Sequence, residues 1–289
     1  MDTDTRTWFI TGSSRGFGRS LAEAALAAGD RVVATARRPE QLDGLVARHG
    51  DRVLPVALDV TDPAAVQDAF DAARAAFGRV DVVVNNAGYA NLAPVETADE
   101  EDFRRQFDTN FWGVYHVSKA AIPLLKAQGG GLVIQFSSVG GRVGATPGLG
   151  SYQAAKFAVD GFTRVLAAET APLGIRYLVV EPGGFATDWA GASMRIDGVP
   201  AEYAATVGSL ADLLRGGGAA LGDPDRAAGI LVRLAHADEI PGHLLLGAGA
   251  VDMALAYSRG QLAEATAWQA VSASADTGAP YPVTLPSAV

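Results

Sequence analysis

The amino-acid sequence predicts an α/β fold in which helices bury both faces of a parallel sheet. Short β-branched or apolar runs alternate with longer, alanine-rich helical patterns along most of the 289 residues. Strands of four to six residues separated by helices are typical of βαβ units, whose parallel strands are buried on both sides. No internal repeat or low-complexity linker divides the chain, so a single domain over residues 1–289 is expected.

The predicted elements follow one another in a regular order. The strand candidates are Trp8–Thr11, Arg31–Thr35, Val53–Leu58, Asp81–Asn85, Leu132–Phe136, Ile175–Val180 and His243–Leu246. Helical patterns lie near 16–28, 39–48, 62–77, 99–127, 151–171 and 223–236. Gly29 follows the first helical pattern, where a left-handed cap is expected. Asp62-Pro63 supplies an N-cap and a first-turn proline to the helical pattern near 62–77.

Two regions depart from this alternation. Residues 184–222 form a long connection with scattered glycines, which in a compact domain indicates a substrate-binding loop or lid. Residues 252–272 suggest an amphipathic C-terminal helix that covers the core or contacts another subunit, in preference to forming a pocket wall. Its apolar positions are Met253, Leu255, Ala256, Leu262, Ala263 and Trp268.

Composition excludes several classes of function. The formal net charge of −9 argues against binding nucleic acid through phosphate neutralisation. Cysteine is absent, and the histidines at 49, 116, 236 and 243 lack metal-ligand spacing, so no metal site is expected. The polar start is unlike a secretory signal, and no apolar run approaches the roughly 20 residues that span a bilayer. We therefore expect a cytoplasmic protein without a membrane partner.

A glycine-rich turn between the first strand and the first helix predicts a phosphate site. Glycines 12, 16 and 18 in Thr11-Gly-Ser-Ser-Arg-Gly-Phe-Gly18 permit close approach of backbone amides to a pyrophosphate at a helix N-terminus. The first βα turn of a doubly wound sheet is where dinucleotides bind. The second strand ends with Ala36 and Arg37 where an NAD site usually has an acid, and Arg15 could reach the same phosphate. We therefore favour NADP(H) over NAD(H).

Tyr152 and Lys156 form a candidate acid–base pair. Four residues apart in a helical pattern, their side chains lie on one face about one turn apart. With charges about 5 Å apart and an effective dielectric of about 20, a lysine cation stabilises a phenolate by about 3 kcal/mol. That is roughly two pKa units below an ordinary value near 10, enough to make the tyrosine a usable acid or base around neutral pH.

These residues together resemble the short-chain dehydrogenase/reductase family over most of residues 6–190. The motifs that carry the resemblance occur in order and at family-like intervals: Thr11-Gly-x-x-x-Gly-x-Gly18, Leu58-Asp59-Val60, Asn85-Asn-Ala-Gly88, Asn110, Ser137-Ser138, Tyr152-x-x-x-Lys156 and Pro182-Gly183. The resemblance implies a Rossmann-type domain with a seven-stranded parallel sheet, assembled as a homodimer or homotetramer. It also implies hydride transfer between a nicotinamide and a carbonyl or carbinol carbon.

The resemblance assigns a role to each residue of the site. Tyr152 would exchange a proton with the substrate oxygen, Lys156 would lower the pKa of that phenol, and Ser138 would hydrogen-bond the same oxygen. Asn110 would anchor a water that relays protons to Lys156, or would only bend its helix. The implied cofactor groove comprises Gly12, Ser14, Arg15, Gly16, Phe17, Gly18, Arg37, Asp59, Val60, Asn86, Ala87, Gly88, Tyr152, Lys156, Pro182, Gly183 and Thr187.

Several alternatives stay open at the level of sequence. Ser137 could replace Ser138, although it lies closer to the strand; Asp59 could be a helix N-cap, and so could Asp188 beside Thr187. The lipophilic set Phe185, Trp189, Met194, Ile196 and Tyr203 favours a mostly apolar ketone or secondary alcohol as substrate. The competing functions are a catalytically silent NAD(P)-sensing regulator and a nucleotide-sugar epimerase or dehydratase.

Overall fold

A computed structural model describes residues 5–187, 194–196, 198–216 and 222–286 of the chain. Its strands are β1 (Thr7–Ile10), β2 (Arg31–Ala36), β3 (Val53–Ala57), β4 (Val82–Asn85), β5 (Gly131–Phe136), β6 (Ile175–Pro182) and β7 (His243–Leu246). They form one sheet in the order β3-β2-β1-β4-β5-β6-β7, with every neighbouring pair parallel. The predicted seven-stranded parallel sheet is thus confirmed.

The helices lie between and after these strands. They are α1 (Gly16–Ala27), α2 (Asp43–His49), α3 (Pro63–Phe77), α4 (Glu100–Phe107), α5 (Gly113–Ala127), α6 (Gly140–Val143), α7 (Gly150–Thr170), α8 (Ser209–Arg215), α9 (Pro224–Ala235), α10 (Ala248–Ala267) and α11 (Gln269–Ala273). The segment predicted as one helix over 99–127 is instead α4 and α5 joined by a π-helical turn, Asp108–Trp112. None of the described helices is long and apolar enough to cross a membrane.

Side-chain alternation along the strands explains the helices on both faces. In β1, Trp8 and Ile10 belong to one apolar core together with residues of α1, α2 and α9. Phe9 points to the other face, where it stacks on Phe70 of α3 at 4.2 Å and joins residues of α5 and α7. Because successive strand residues point to opposite faces, β1 is buried on both sides.

Local signals begin and end several helices as the sequence predicts. The Asp62 carboxylate caps α3 by accepting hydrogen bonds from the backbone N–H groups of Ala64 and Ala65. Gly29, just after α1, has a positive φ of 95°. Aspartate is a favoured N-cap residue and glycine readily adopts a positive φ, so both positions carry the residue type that their conformation favours.

The C-terminal region differs from the expected core-covering helix. Within α10 only Ala250 and Ala254 are buried. Its large apolar residues Met253, Leu255 and Leu262 are 48%, 49% and 69% exposed. These side chains lie around the helix and do not form one face against the sheet, so α10 does not cover the core of its own chain. A contact with another subunit stays a prediction.

Candidate active site

The glycine-rich turn forms a tight cradle at the carboxyl end of β1. Gly12 and Gly16 have φ values of +69° and +55°, which favour glycine. A Cβ added at Gly18 would lie 2.2 Å from the carbonyl oxygen of Gly12, so no other residue fits there without moving the turn. No side chain caps the N-terminus of α1. The amides of its first turn can therefore receive an anion.

The end of β4 holds this turn in place. The Asn86 amide nitrogen donates to the carbonyl oxygens of Thr11 and Gly12 at 2.9 and 3.2 Å. The Thr11 hydroxyl accepts hydrogen bonds from the backbone N–H groups of Asn86 and Ala87. Asn86 thus shapes the groove through its hydrogen bonds to the backbone. Ser14 lies half-buried within the same turn.

The end of β2 carries arginines and no carboxylate. Ala36 is buried at the last position of the strand, and Arg37 follows on the surface. Arg15 is also exposed, and neither arginine side chain forms a hydrogen bond or ion pair with another described residue. Such unpaired guanidinium groups suit a phosphate.

The end of β3 places Asp59 and Val60 at the same edge of the sheet. The Asp59 carboxylate accepts from the backbone N–H and the hydroxyl of Thr61, at 3.0 and 2.8 Å. It is therefore not the N-cap of α3, which is Asp62. Val60 is buried, and its side chain fills the space beside Gly113.

The structure brings Tyr152, Lys156 and Ser138 together. The Tyr152 phenol is hydrogen-bonded to the Ser138 side chain, and Lys156 Nζ lies 5.6 Å from the centre of the Tyr152 ring. Lys156 Nζ also donates to the carbonyl oxygen of Phe136 at 2.6 Å. The Ser137 hydroxyl instead donates to the carbonyl oxygen of Lys156, so Ser138 is the serine that faces the phenol.

Burial changes the expected acid–base properties of this pair. Desolvation raises the pKa of Tyr152 to about 12, although its hydrogen bond with Ser138 opposes the rise. Desolvation also lowers the pKa of Lys156 to about 8. The prediction that the lysine lowers the pKa of the phenol is therefore wrong, because burial removes the hydration of the phenolate and raises that pKa instead. Tyr152 is a neutral phenol at neutral pH, and so a proton donor.

Asn110 occupies the π-helical turn between α4 and α5. Its amide nitrogen donates to the carbonyl oxygens of Gln106 and Tyr89 at 2.8 and 2.7 Å, and its side-chain oxygen accepts from the N–H of Tyr89. A Cβ added at Gly88 would lie 2.4 Å from that oxygen and 3.6 Å from Lys156 Nζ. Asn110 therefore holds the Tyr89 backbone and packs against Gly88, beside the lysine.

The loop after β6 lies opposite the glycine turn. Thr187 packs near Gly16, since a Cβ added there would be 3.6 Å from the Thr187 Cβ. Phe17 contacts Phe136 and Phe185, with ring centres 5.3 and 4.8 Å apart. Phe185 therefore packs beneath the groove, whereas the sequence suggested a place in the substrate wall. Asp188 and Trp189 lie outside the described residues.

An apolar wall closes over Tyr152. Its buried residues are Ala90, Leu92, Leu149, Met194, Val207 and Ala211, and the half-buried Ile196 and Tyr203 pack against them. The described part of 184–222 is joined to the chain after β4 by a hydrogen bond from the N–H of Leu92 to the carbonyl oxygen of Arg195. Tyr203 also donates to the Glu96 carboxylate. Of the predicted lipophilic set, Met194, Ile196 and Tyr203 belong to this wall.

Sequence reasoning missed several residues that shape the site. Leu92 and Leu149 belong to none of the motifs, and only the packing reveals that they form the wall. The ion pair between Arg142 and the buried Glu181 joins α6 to the end of β6. Glu181 is a charged residue at the end of the otherwise mostly apolar β6, and this could have indicated its role from the sequence. Within the described parts of the chain, no three His, Cys, Asp or Glu side chains are placed to hold a metal ion.

The groove fits a dinucleotide. Its cradle excludes side chains at Gly18, its helix N-terminus is open to an anion, and its exposed arginines follow β2. Pro182 and Gly183 lie at the carboxyl end of β6, where the N–H of Gly183 donates to the carbonyl oxygen of Leu246 at 3.0 Å. Because β1 pairs with both β2 and β4, the groove lies at the point where the strand order reverses, the usual dinucleotide site in such sheets.

Comparisons with known proteins agree with this geometry. The family model for short chain dehydrogenase matches residues 6–195. The oxidoreductase BOA17 of Botryotinia fuckeliana is 52% identical over 252 residues, covering 86% of this chain and 92% of that protein. A short-chain dehydrogenase from Streptomyces avermitilis superposes with a TM-score of 0.89 and 38% identity, covering 96% of this chain and 100% of the other.

Two structural neighbours contain nicotinamide cofactors. An alcohol dehydrogenase from Thermococcus sibiricus complexed with 5-hydroxy-NADP is 28% identical, with a TM-score of 0.69 and coverage of 84% and 96%. A 3-ketoacyl-(acyl-carrier-protein) reductase from Brucella melitensis complexed with NADH is 29% identical, with a TM-score of 0.69 and coverage of 83% and 95%. Both cofactor types therefore occur among similar structures.

Proposed function

This chain belongs to the short-chain dehydrogenase family, and from that premise we propose that it is an NADP(H)-dependent reductase of apolar ketones. As a member of the family it is an oxidoreductase that uses NAD(P)(H). The observation that carries the finer proposal is the neutral Tyr152 phenol, hydrogen-bonded to Ser138 under an apolar wall. The reverse reaction, oxidation of the matching secondary alcohol, uses the same residues.

Tyr152 donates its proton to the carbonyl oxygen of the substrate. A general acid must lie within hydrogen-bond reach of the oxygen that it protonates. Tyr152 and Ser138 already share a hydrogen bond, so an oxygen placed between them contacts both hydroxyl groups. Ser138 then stabilises the negative charge that develops on this oxygen.

The remaining residues hold the cofactor and return the proton. The nicotinamide, when bound, supplies the hydride. Arg37 and Arg15 bind the 2′-phosphate that distinguishes NADP(H) from NAD(H). Lys156 binds the nicotinamide ribose and reprotonates Tyr152, with Asn110 holding the proton path open beside it.

The apolar wall sets the class of substrate. Leu92, Leu149 and Val207 offer no hydrogen bonds to a substituent, and burying a charged or strongly polar group against them would cost several kcal/mol. A ketone with an aromatic or alicyclic substituent gains from the same surface by the hydrophobic effect.

A turnover assay tests the proposal. Purified protein is mixed with NADPH or NADH and a panel of aromatic, alicyclic and steroid-like ketones, and loss of cofactor absorbance is followed. We expect NADPH to be preferred, and Tyr152→Phe to lower kcat by about 10²–10⁴-fold while still binding NADPH.

The matched control is Tyr281→Phe, which removes the same atom from a side chain that is 82% exposed and should leave kcat unchanged. Equal turnover by Tyr152→Phe and the wild type would refute the assigned acid. Tight NADPH binding without turnover of any ketone would instead favour a nucleotide-sensing regulator.

A further inference from the structure

A buried ion pair joins the segment after Ser138 to the end of β6. Arg142, in α6, donates from Nε to both carboxylate oxygens of Glu181 at 3.0 Å, and its terminal nitrogen lies 2.9 Å from Oε2. The Glu181 side chain is fully buried, while that of Arg142 is 26% exposed. The two residues lie 39 positions apart in sequence.

Stability alone is a poor explanation for this pair. A buried ion pair must offset the dehydration of both charges, and apolar residues of similar volume often serve stability as well or better. An arginine fork on a carboxylate does fix the direction and distance between the two elements that carry it. The pair is therefore suited to holding α6 and β6 in one relative position.

Both elements lie directly beside proposed catalytic and cofactor residues. α6 begins two residues after Ser138, whose hydroxyl accepts from the N–H of Gly140 at 3.0 Å. Glu181 immediately precedes Pro182 and Gly183 in the cofactor groove. A second link runs parallel to the ion pair, since the N–H of Val139 donates to the carbonyl oxygen of Pro182 at 3.0 Å.

We propose that Arg142 and Glu181 are positioning residues that hold Ser138 in register with both Tyr152 and the nicotinamide site. Neither residue contacts the reacting atoms in this assignment. Their fork fixes the turn in which Ser138 lies, and the same contact fixes the backbone of Pro182 and Gly183. This proposal rests on the proposed function, since it concerns the geometry of that reaction.

The substitution Arg142→Met tests the role of this ion pair as an anchor. It keeps much of the side-chain volume and removes the guanidinium group that binds the Glu181 carboxylate. Because small displacements of reacting groups have large effects on rate, we expect kcat to fall about 10–100-fold. The KM for the ketone and the Kd for NADPH should stay within about threefold, since Ser138 acts mainly in the transition state.

Two further variants separate positioning from bulk packing. Arg142→Lys keeps the charge and should restore part of kcat, although lysine cannot form the planar fork. The double variant Arg142→Met with Glu181→Gln should lose much less than the product of the two single losses, because both remove one interaction.

Arg79→Met is the matched structural control. Arg79 Nε donates to the largely buried Asp81 at 2.7 Å, just before β4 and thus at the opposite edge of the sheet. We expect Arg79→Met to lower the urea midpoint of unfolding without changing kcat per folded molecule. An Arg142→Met enzyme with wild-type kcat, or a loss of kcat that Arg79→Met reproduces, would overturn the proposal.

The emission spectrum of bound NADPH supplies a readout that does not depend on turnover. We expect Arg142→Met to shift this emission towards that of free NADPH, because Pro182 and Gly183 move, while Arg79→Met leaves it unchanged. If the wild type reduces no ketone, the proposed function fails, and an unchanged emission in Arg142→Met then refutes the anchor separately.

Discussion

Replacing Lys156 by methionine should change how the stability of the protein depends on pH. Lys156 is 4% exposed, and burial lowers its pKa from 10.5 to about 8. Below pH 8 the Lys156 side chain of the folded protein is a charged ammonium group that is buried away from water. Between pH 8 and 10.5 the folded lysine loses its proton while the unfolded one keeps it. The unfolded state binds more protons in this window, so wild-type stability rises with pH.

The size of the effect follows from the shift. Each pKa unit corresponds to about 1.36 kcal/mol, and pH 9.5 lies about 1.5 units above the folded pKa. From pH 7 to pH 9.5 Lys156 should therefore add about 2 kcal/mol to the free energy of unfolding. Tyr152 contributes with the opposite sign, but only above its ordinary pKa of 10, because its folded pKa is raised to about 12.

Urea denaturation at pH 7 and pH 9.5 measures this contribution in wild type and Lys156→Met. The free energy of unfolding of the wild type should gain about 2 kcal/mol more over this interval than that of the variant. The comparison cancels the other titrating groups and the lost hydrogen bond to Phe136. Equal pH dependence of the two proteins would show that Lys156 is not desolvated in the fold, and would refute the lowered pKa assigned to it.

Four further predictions follow from the same geometry. Gly18→Ala should weaken NADPH binding at least tenfold in fluorescence titrations, because a Cβ lies 2.2 Å from the Gly12 carbonyl oxygen, whereas Gly229→Ala, with open space, should not. Arg37→Ala should raise the KM for NADPH about 10–100-fold and leave that for NADH unchanged, since a charged hydrogen bond is worth about 1.5–3 kcal/mol. Ala145→Gly should raise the free energy of unfolding by about 0.5–1 kcal/mol, because Ala145 has a φ of 60°. In pH–rate profiles, kcat/KM for reduction should decline above about pH 8 as Lys156 loses its charge.

The sequence predicted the strands well because burial on both faces leaves a clear pattern. A run such as Val82–Val84 has no polar residue that could face water, and the same holds for most of β5 and β6. The hydrophobic pattern alone did not reveal the π-helical turn that separates α4 from α5. The apolar and aromatic spacing continues through Asp108–Trp112, and the extra residue in that turn becomes visible only in the backbone hydrogen bonds.

Contacts between distant segments could not be predicted from spacing. The motifs placed Tyr152 and Lys156 one helical turn apart, and the structure has them in α7. The partner of Glu181 and the wall formed by Leu92 and Val207 depend on how loops after three different strands meet. Net attraction between Tyr152 and Lys156 was also misjudged, because the estimate from spacing took no account of desolvation.

Burial links the chemistry of this site to its choice of substrate. In water lysine and tyrosine have nearly equal pKa values, 10.5 and 10.0, so proton transfer between the two groups is nearly balanced. Desolvation separates them to about 8 and about 12, which makes the Lys156 ammonium group the stronger acid. A Tyr152 that has given its proton to a substrate is then readily reprotonated from Lys156. The apolar wall that helps keep water from this pair also selects apolar ketones, so the same packing favours reduction and lipophilic substrates together.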